Sequence, residues 1–192
     1  MILNRDITNR IHAATSYISL TDVKDHLRVV GTDEDAYLSA ILEAAFEVCE
    51  NYLGYPARLS TVQWTAEEWP AETIDLIGKP QSLTSVKYYD TANSLQTLAT
   101  TYYNAHARRD RFRVLFVLTP PTQYEDRLDA IQYNAQMGWL PGALPAAVRA
   151  AVLLTVGDLY EERKNTIIGT IETSLSRGTE FLLNPYRWNE FV

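Results

Sequence analysis

The stretch TDEDAYLSAILEAAFEVCENYLGYP, residues 32–56, decides the fold. Thr32 is an N-cap candidate, and Asp33, Glu34 and Asp35 place negative charge in the first turn, where the helix dipole favours it. Leu38, Ile41, Ala45, Val48 and Tyr52 then recur at spacings of three and four, which predicts one apolar face of a helix about twenty residues long. Gly54 suits the left-handed position just past the helix end, and Pro56 stands where a helix cannot continue. Cys49 falls one position off that face and reads as a packed thiol rather than a nucleophile.

Upstream, Ser19 followed by Asp22 has the form of a capping box, and Leu20, Val23 and Leu27 make the buried stripe of a short helix. Residues 1–17 show weak periodicity and read as an arm or a short helix that a partner orders. Downstream, the period changes near Leu59. Alternation over Val62–Thr65, Glu72–Ile77, Ser85–Asp90, Thr101–Asn104, Arg111–Phe116 and Asp129–Ala135, with turn signals between, predicts six short antiparallel strands. Helical periodicity returns in LPAAVRAAVLLTVGDLYEER, residues 144–163. Pro145 suits a helix start, and Val148, Val152, Thr155, Val156, Leu159 and Tyr160 line one face. Asn165 to Arg177 reads as a loop or long hairpin, and Thr179 to Leu183 as a short helix that Pro185 ends.

Neither helical end can bury its apolar face alone, so the two ends are expected to meet. The resulting expectation is an α+β chain in which the N- and C-terminal helices pack as one bundle with an inserted small antiparallel β domain. Its divisions are an arm over 1–17, a helical core over 18–57 and 140–192, and a β-rich insert over 58–139.

The chain has 192 residues, of which 46% are hydrophobic, so a core forms without disulfides or metals. With Cys49 the one cysteine, no internal disulfide is available, and folding in a reducing cytosol is expected. No stretch reaches the length of a membrane span and no signal-peptide core opens the chain, so a soluble, unexported protein is expected. The formal net charge of −7 argues against a surface that grips nucleic acid throughout. It is compatible with a surface past which DNA slides.

Chemical constellations are sparse. His12, His26 and His106 lie in unrelated segments, without metal or triad spacing. The acidic pairs Glu67–Glu68, Glu125–Asp126 and Glu161–Glu162 sit in polar runs, and no phosphate loop or nucleophile elbow is present. An enzyme is therefore not expected, nor is a cofactor or metal. Two features stand out instead. Arg109, Arg111 and Arg113 share one face of an alternating strand, which reads as a solvated face or as a contact with an acidic neighbouring subunit or with phosphates. Lys164 and Arg177, at the two ends of the 165–177 loop, join this set as inter-subunit or DNA-facing candidates. The tail FLLNPYRWNEFV, residues 181–192, carries the aromatic and Arg composition of interface hot spots. Phe181, Leu182, Leu183, Pro185, Tyr186, Arg187 and Trp188 are its partner-contact candidates. The alternative is that this end packs back on its own core.

Several stretches resemble the head–tail connector (adaptor, or head-completion) proteins of long-tailed bacteriophages and gene transfer agents. They are Ile18–Val29 with Asp33–Asp35, Ala44–Ala45 with Glu50–Gly54, Ile77–Pro80 before Ser85–Tyr88, Leu144–Leu154 with Leu159–Arg163, and Leu182–Arg187. Ser174–Gly178 departs from the family, which has a proline-led helix start there. The resemblance implies a non-enzymatic structural subunit of a ring, usually of twelve copies, seated on the portal protein at the head–tail junction of the virion after assembly in the host cytoplasm. Double-stranded DNA would pass through that ring without sequence recognition. A head-closure or tail-terminator protein would follow it, and the C-terminal segment would dock on the portal. The alternatives are a tail-terminator or other neck component, a carbohydrate-binding or other small-ligand module using Trp64 and Trp69, and, last, a hydrolase.

Overall fold

The computed structural model describes residues 4–161 and 175–188. Within them the chain is mixed α+β, with four helices and two antiparallel sheets, and it divides into two compact units. Lys164 and most of the loop expected over 165–177 lie outside the described residues, as do the last four positions of the tail.

The β unit comprises residues 4–11 and 59–139. Its larger sheet has the order β1 (Asn4–Arg10), β2 (Ser60–Ala66), β8 (Ile131–Met137), β4 (Pro80–Tyr89), β5 (Leu95–Thr97). The smaller sheet is β3 (Thr73–Ile77), β7 (Arg111–Phe116), β6 (Tyr103–Ala107). Side chains alternate across a strand, so the pairing of Val62 with Ala135 and Trp64 with Tyr133 sends all four to one side. There they join Ile74, Leu76, Val86, Phe112 and Val114 in a single core. The in-between positions Thr61, Gln63, Thr65, Gln132, Asn134 and Gln136 form an uncharged polar ladder on the outer side. Gln63 Nε2 donates to Asn134 Oδ1 at 3.1 Å within it. Gly78 has φ +146, and a Cβ there would lie 3.3 Å from Met137 Sδ, so the β3–β4 turn needs glycine.

The N-terminus differs from expectation. Residues 4–10 are an edge strand, paired with β2 from Asn4 opposite Thr65 to Arg10 opposite Ser60, rather than an arm or helix waiting for a partner. The strand escapes sequence reading because it buries no side-chain face: six of its seven residues are exposed. Backbone pairing, with the Thr8 hydroxyl donating to the Thr61 carbonyl at 3.2 Å, holds it, and its polar, charged composition suits an unpaired edge. The three-residue β5 is likewise exposed throughout and likewise unforeseen.

The helical unit comprises residues 12–58, 140–161 and 175–188. Its helices are α1 (Leu20–Leu27), α2 (Asp35–Leu53), α3 (Ala146–Glu161) and α4 (Arg177–Leu183). The capping box on α1 is present: Ser19 Oγ accepts from the Asp22 N–H at 3.1 Å, and Asp22 Oδ2 accepts from the Ser19 N–H at 3.2 Å. α2 starts at Asp35, so Thr32 is not its cap; the Thr32 carbonyl instead accepts the Asp35 N–H in the preceding turn. The buried stripe of α2 is also rotated from the expected one. It runs Leu38, Ile41, Leu42, Ala45, Phe46, Cys49, Leu53, so Leu38, Ile41 and Ala45 are buried as expected, whereas Val48 is 36% exposed and Tyr52 is half-buried. α3 buries Val148, Ala151, Val152, Thr155 and Val156, while Leu159 is exposed. It meets α2 where Cys49 Sγ lies 3.7 Å from Thr155 Oγ1. Arg149 pairs with Asp22 at 2.7 Å, and the Tyr160 hydroxyl donates to Glu34 at 2.6 Å. Among the described residues no helix is long and apolar enough to cross a membrane.

After α2 the chain turns through Gly54, at φ +80, and buries Arg58 completely. Arg58 Nε donates to Glu50 Oε1 at 3.3 Å, Nη1 bonds Glu43, and the guanidinium lies 5.0 Å from the Phe46 ring centroid. Glu50 Oε1 also accepts the N–H groups of Ala57 and Arg58 at 3.1 and 3.0 Å, so one buried carboxylate organises the whole turn.

Candidate functional site

The three histidines do not converge with one another. His12 stacks edge-on against Tyr17, His26 lies against Gly157 of α3, and His106 sits exposed on β6. Among the described residues no three His, Cys, Asp or Glu side chains are placed to hold a metal ion. Cys49 is fully buried, and burial, relieved only in part by Thr155, pushes its thiol up to about 11. A thiol so placed is not a nucleophile at neutral pH. Trp64 is 3% exposed in the β core, so it does not form a sugar-stacking platform with Trp69.

Arg111 and Arg113 lie on one face of β7, and their guanidinium groups are already engaged. Asp75 of β3 lies directly opposite Arg113 of β7. Arg113 donates twice to its carboxylate, both at 2.8 Å, and Arg111 once at 3.0 Å. Arg111 also makes two 3.1 Å bonds to Asp110. The hydrogen bonds from Arg113, then those from Arg111, hold the Asp75 carboxyl below its usual range against the opposing effect of partial burial. The strand period found Arg111 and Arg113 but not Asp75, because cross-strand partners are invisible until the register is known. Arg109 falls outside the strand, in the β6–β7 turn.

The C-terminal segment folds back on the end of α2. Leu183 is fully buried. The Trp188 N–H donates to the Leu53 carbonyl at 2.9 Å, closing the C-terminus of α2. The Tyr52 hydroxyl donates to Asn184 Oδ1 at 2.8 Å, the Tyr55 hydroxyl bonds the Tyr186 carbonyl, and the Arg187 guanidinium lies 4.8 Å from the Tyr52 ring centroid. Leu183, Tyr186 and Trp188 thus serve this unit's own packing. Pro185 and Arg187 are exposed, Leu182 is partly so, and Phe181 on α4 is 77% exposed with Arg177 one turn before it.

Sequence reading missed a groove in the β unit. Trp69, Pro70, Ala71, Phe116, Val117 and Leu118 line an open space of about 390 Å³ together with Thr119 and Pro120. Trp69 is clamped in place: Nε1 donates to the Pro121 carbonyl at 2.9 Å, and the ring packs 5.5 Å from Phe116 and 5.7 Å from Tyr88. The sequence signal was the Leu-Thr-Pro-Pro run after β7, which keeps apolar residues at the surface.

The family described as Head completion protein matches residues 16–182. Solved structures match over the full chain. The neck of an empty gene transfer agent particle, with C6 symmetry, has a TM-score of 0.76 at 20% identity, covering 100% of this chain and 98% of that one. The neck of the native particle with C12 symmetry gives 0.73 at 17%, and the virion of the native particle gives 0.75 at 21%, with the same coverage. No curated protein matches the chain. At these identities the structures establish a shared fold, and the family match, spanning most of the sequence, establishes that the chain belongs to the head completion protein family.

Proposed function

We propose that this chain is a structural subunit of a closed adaptor ring in the neck of a phage or phage-like particle, joining the capsid portal to the tail. The observation that carries this reading is the family match over residues 16–182, together with a fold shared along the whole chain with gene transfer agent neck structures computed with C6 and C12 symmetry. In the virion the ring has twelve copies, and its work is mechanical, without turnover. Its contacts are head-to-tail, because an isologous pair would stop at a dimer. The helices of both chain ends act as one bundle and form the ring's scaffold. Double-stranded DNA passes through without sequence recognition, and a head-closure or tail-terminator protein stacks next.

The exposed part of the C-terminal segment, Leu182, Pro185 and Arg187, contacts the portal. Leu183, Tyr186 and Trp188 hold that segment in shape by packing on α2. Co-expression with the cognate portal tests the reading. A portal-bound ring is expected, and Arg187→Glu should release it while leaving the far-UV circular dichroism intact. Binding to tail tubes instead of portal would assign the chain to a tail-terminator role.

A further inference from the structure

A ring built from identical copies needs two unlike faces that fit each other, and two features of this chain have that relation. The first is a knob. Phe181 is 77% exposed on α4, and Arg177, at the i−4 position, shares its face. Arg177 has no carboxylate partner among the described residues. The second is the Trp69 groove, whose floor is fixed by the Trp69 clamp and by the Phe116 N–H donating to the Glu72 carbonyl at 2.9 Å. Val117 and Leu118, 49% and 53% exposed, form its apolar wall. Glu67, Glu68 and Glu72 stand next to the groove in sequence on either side of Trp69. All three are exposed, and none has an ion-pair partner among the described residues.

We propose that Phe181 of one copy inserts into the Trp69 groove of the next copy around the ring, with Arg177 meeting the acidic rim of Glu67, Glu68 and Glu72. This rests on the ring reading above and names its repeating contact. An aromatic side chain beside a cation complements in polarity and charge an apolar slot whose lining segment is bracketed in sequence by exposed carboxylates. Phe181 buries little of its ring within its own helical unit, which leaves the ring available to a partner. Knob and slot belong to different units of the chain, so the contact can repeat from copy to copy.

The test uses assembled particles carrying Phe181→Cys with Leu118→Cys, treated with a short bismaleimide and run on a denaturing gel. Both positions are exposed, so folding is preserved, and the one native cysteine, Cys49, is buried and silent. A ladder of covalent multimers beyond the dimer is expected, with no ladder from either single variant. Arg177→Glu should lower particle yield at least tenfold, and Glu67→Lys/Glu68→Lys in the same chain should restore it. A ring visible by electron microscopy in particles that give no ladder would overturn this contact and leave the ring reading standing. Cross-linking of Phe181→Cys to a different protein would do the same. Particles of the unaltered chain that show no ring by electron microscopy would overturn both.

Discussion

Replacing Arg58 should destabilise the helical unit more than any other single charge change. Its guanidinium is fully buried, bonds both carboxylates of the Glu43–Glu50 pair and covers the Phe46 ring. Arg58→Ala leaves the Glu50 carboxylate, 5% exposed, with its two backbone N–H donors from the Ala57–Arg58 turn and without this cation. Breaking a buried pair from one side costs about 3–5 kcal/mol. At roughly 2–4 °C per kcal/mol for a chain of this size, the midpoint should fall by about 6–20 °C. The comparison set separates this from generic damage. Glu43→Gln should cost no more than about 1 kcal/mol, because that side chain is 41% exposed and water replaces the bond. Arg58→Met with Glu50→Gln removes both charges but keeps an oxygen for the Ala57 and Arg58 amides and a long apolar chain over Phe46. It should recover most of the loss. Thermal and urea unfolding followed at 222 nm report on these helices. An Arg58→Ala midpoint within about 2 °C of the parent, or a double variant no better than the single, would refute the reasoning.

Three further outcomes follow from individual groups. Asp75 has a pKa held below the reference 3.8 by Arg113 and then Arg111, so its contribution is full above that value and is lost as pH falls through the lower folded value. Asp75→Asn should therefore lower the midpoint at pH 7 and flatten the loss of stability below pH about 4; an unchanged acid limb would contradict this. The Tyr133 hydroxyl is buried in the β core with no hydrogen-bond partner among the described residues, and burial raises its pKa. Tyr133→Phe should be neutral or stabilising by about 1 kcal/mol in urea titration, and a loss of that size would show the hydroxyl to be bonded. Cys49 should resist iodoacetamide at pH 8 in the native state and react at once in urea, because its thiol is buried and titrates near 11; rapid native labelling would contradict the packing.

The helices were legible because their signals are local. A capping box, a Gly at the left-handed end of α2 and a 3.6-residue period all lie within one element. Even so, the face of α2 was read about one residue off. The packed thiol of Cys49 is as expected, but Val48 replaces Leu42, Phe46 and Leu53 in the expected face because periodicity weighs apolar side chains equally, and only packing shows which of them meet α3 and the preceding segment. The strands with one buried face, such as β2 and β8, alternate cleanly and were found. β1 and β5 bury nothing, so their membership in the sheet rests on backbone pairing that leaves no trace in side-chain order. The candidate sites divide the same way. The arginines and the aromatic tail were visible as composition. Their partners, Asp75 from another strand and Tyr52, Leu53 and Tyr55 at the end of α2, were not, because sequence does not state register or long-range contact. The Trp69 groove needs two distant segments, 69–71 and 116–120, to be brought together, and only the fold does that.

The central claim is that copies of this chain close into a ring on the portal. Electron cryomicroscopy of portal co-expressed with this chain, reconstructed without imposed symmetry, tests it most directly. A ring of twelve copies of this protomer is expected on the portal, surrounding a channel wide enough for duplex DNA. Portal particles without added density, or this chain bound as isolated copies or as twofold dimers, would contradict it.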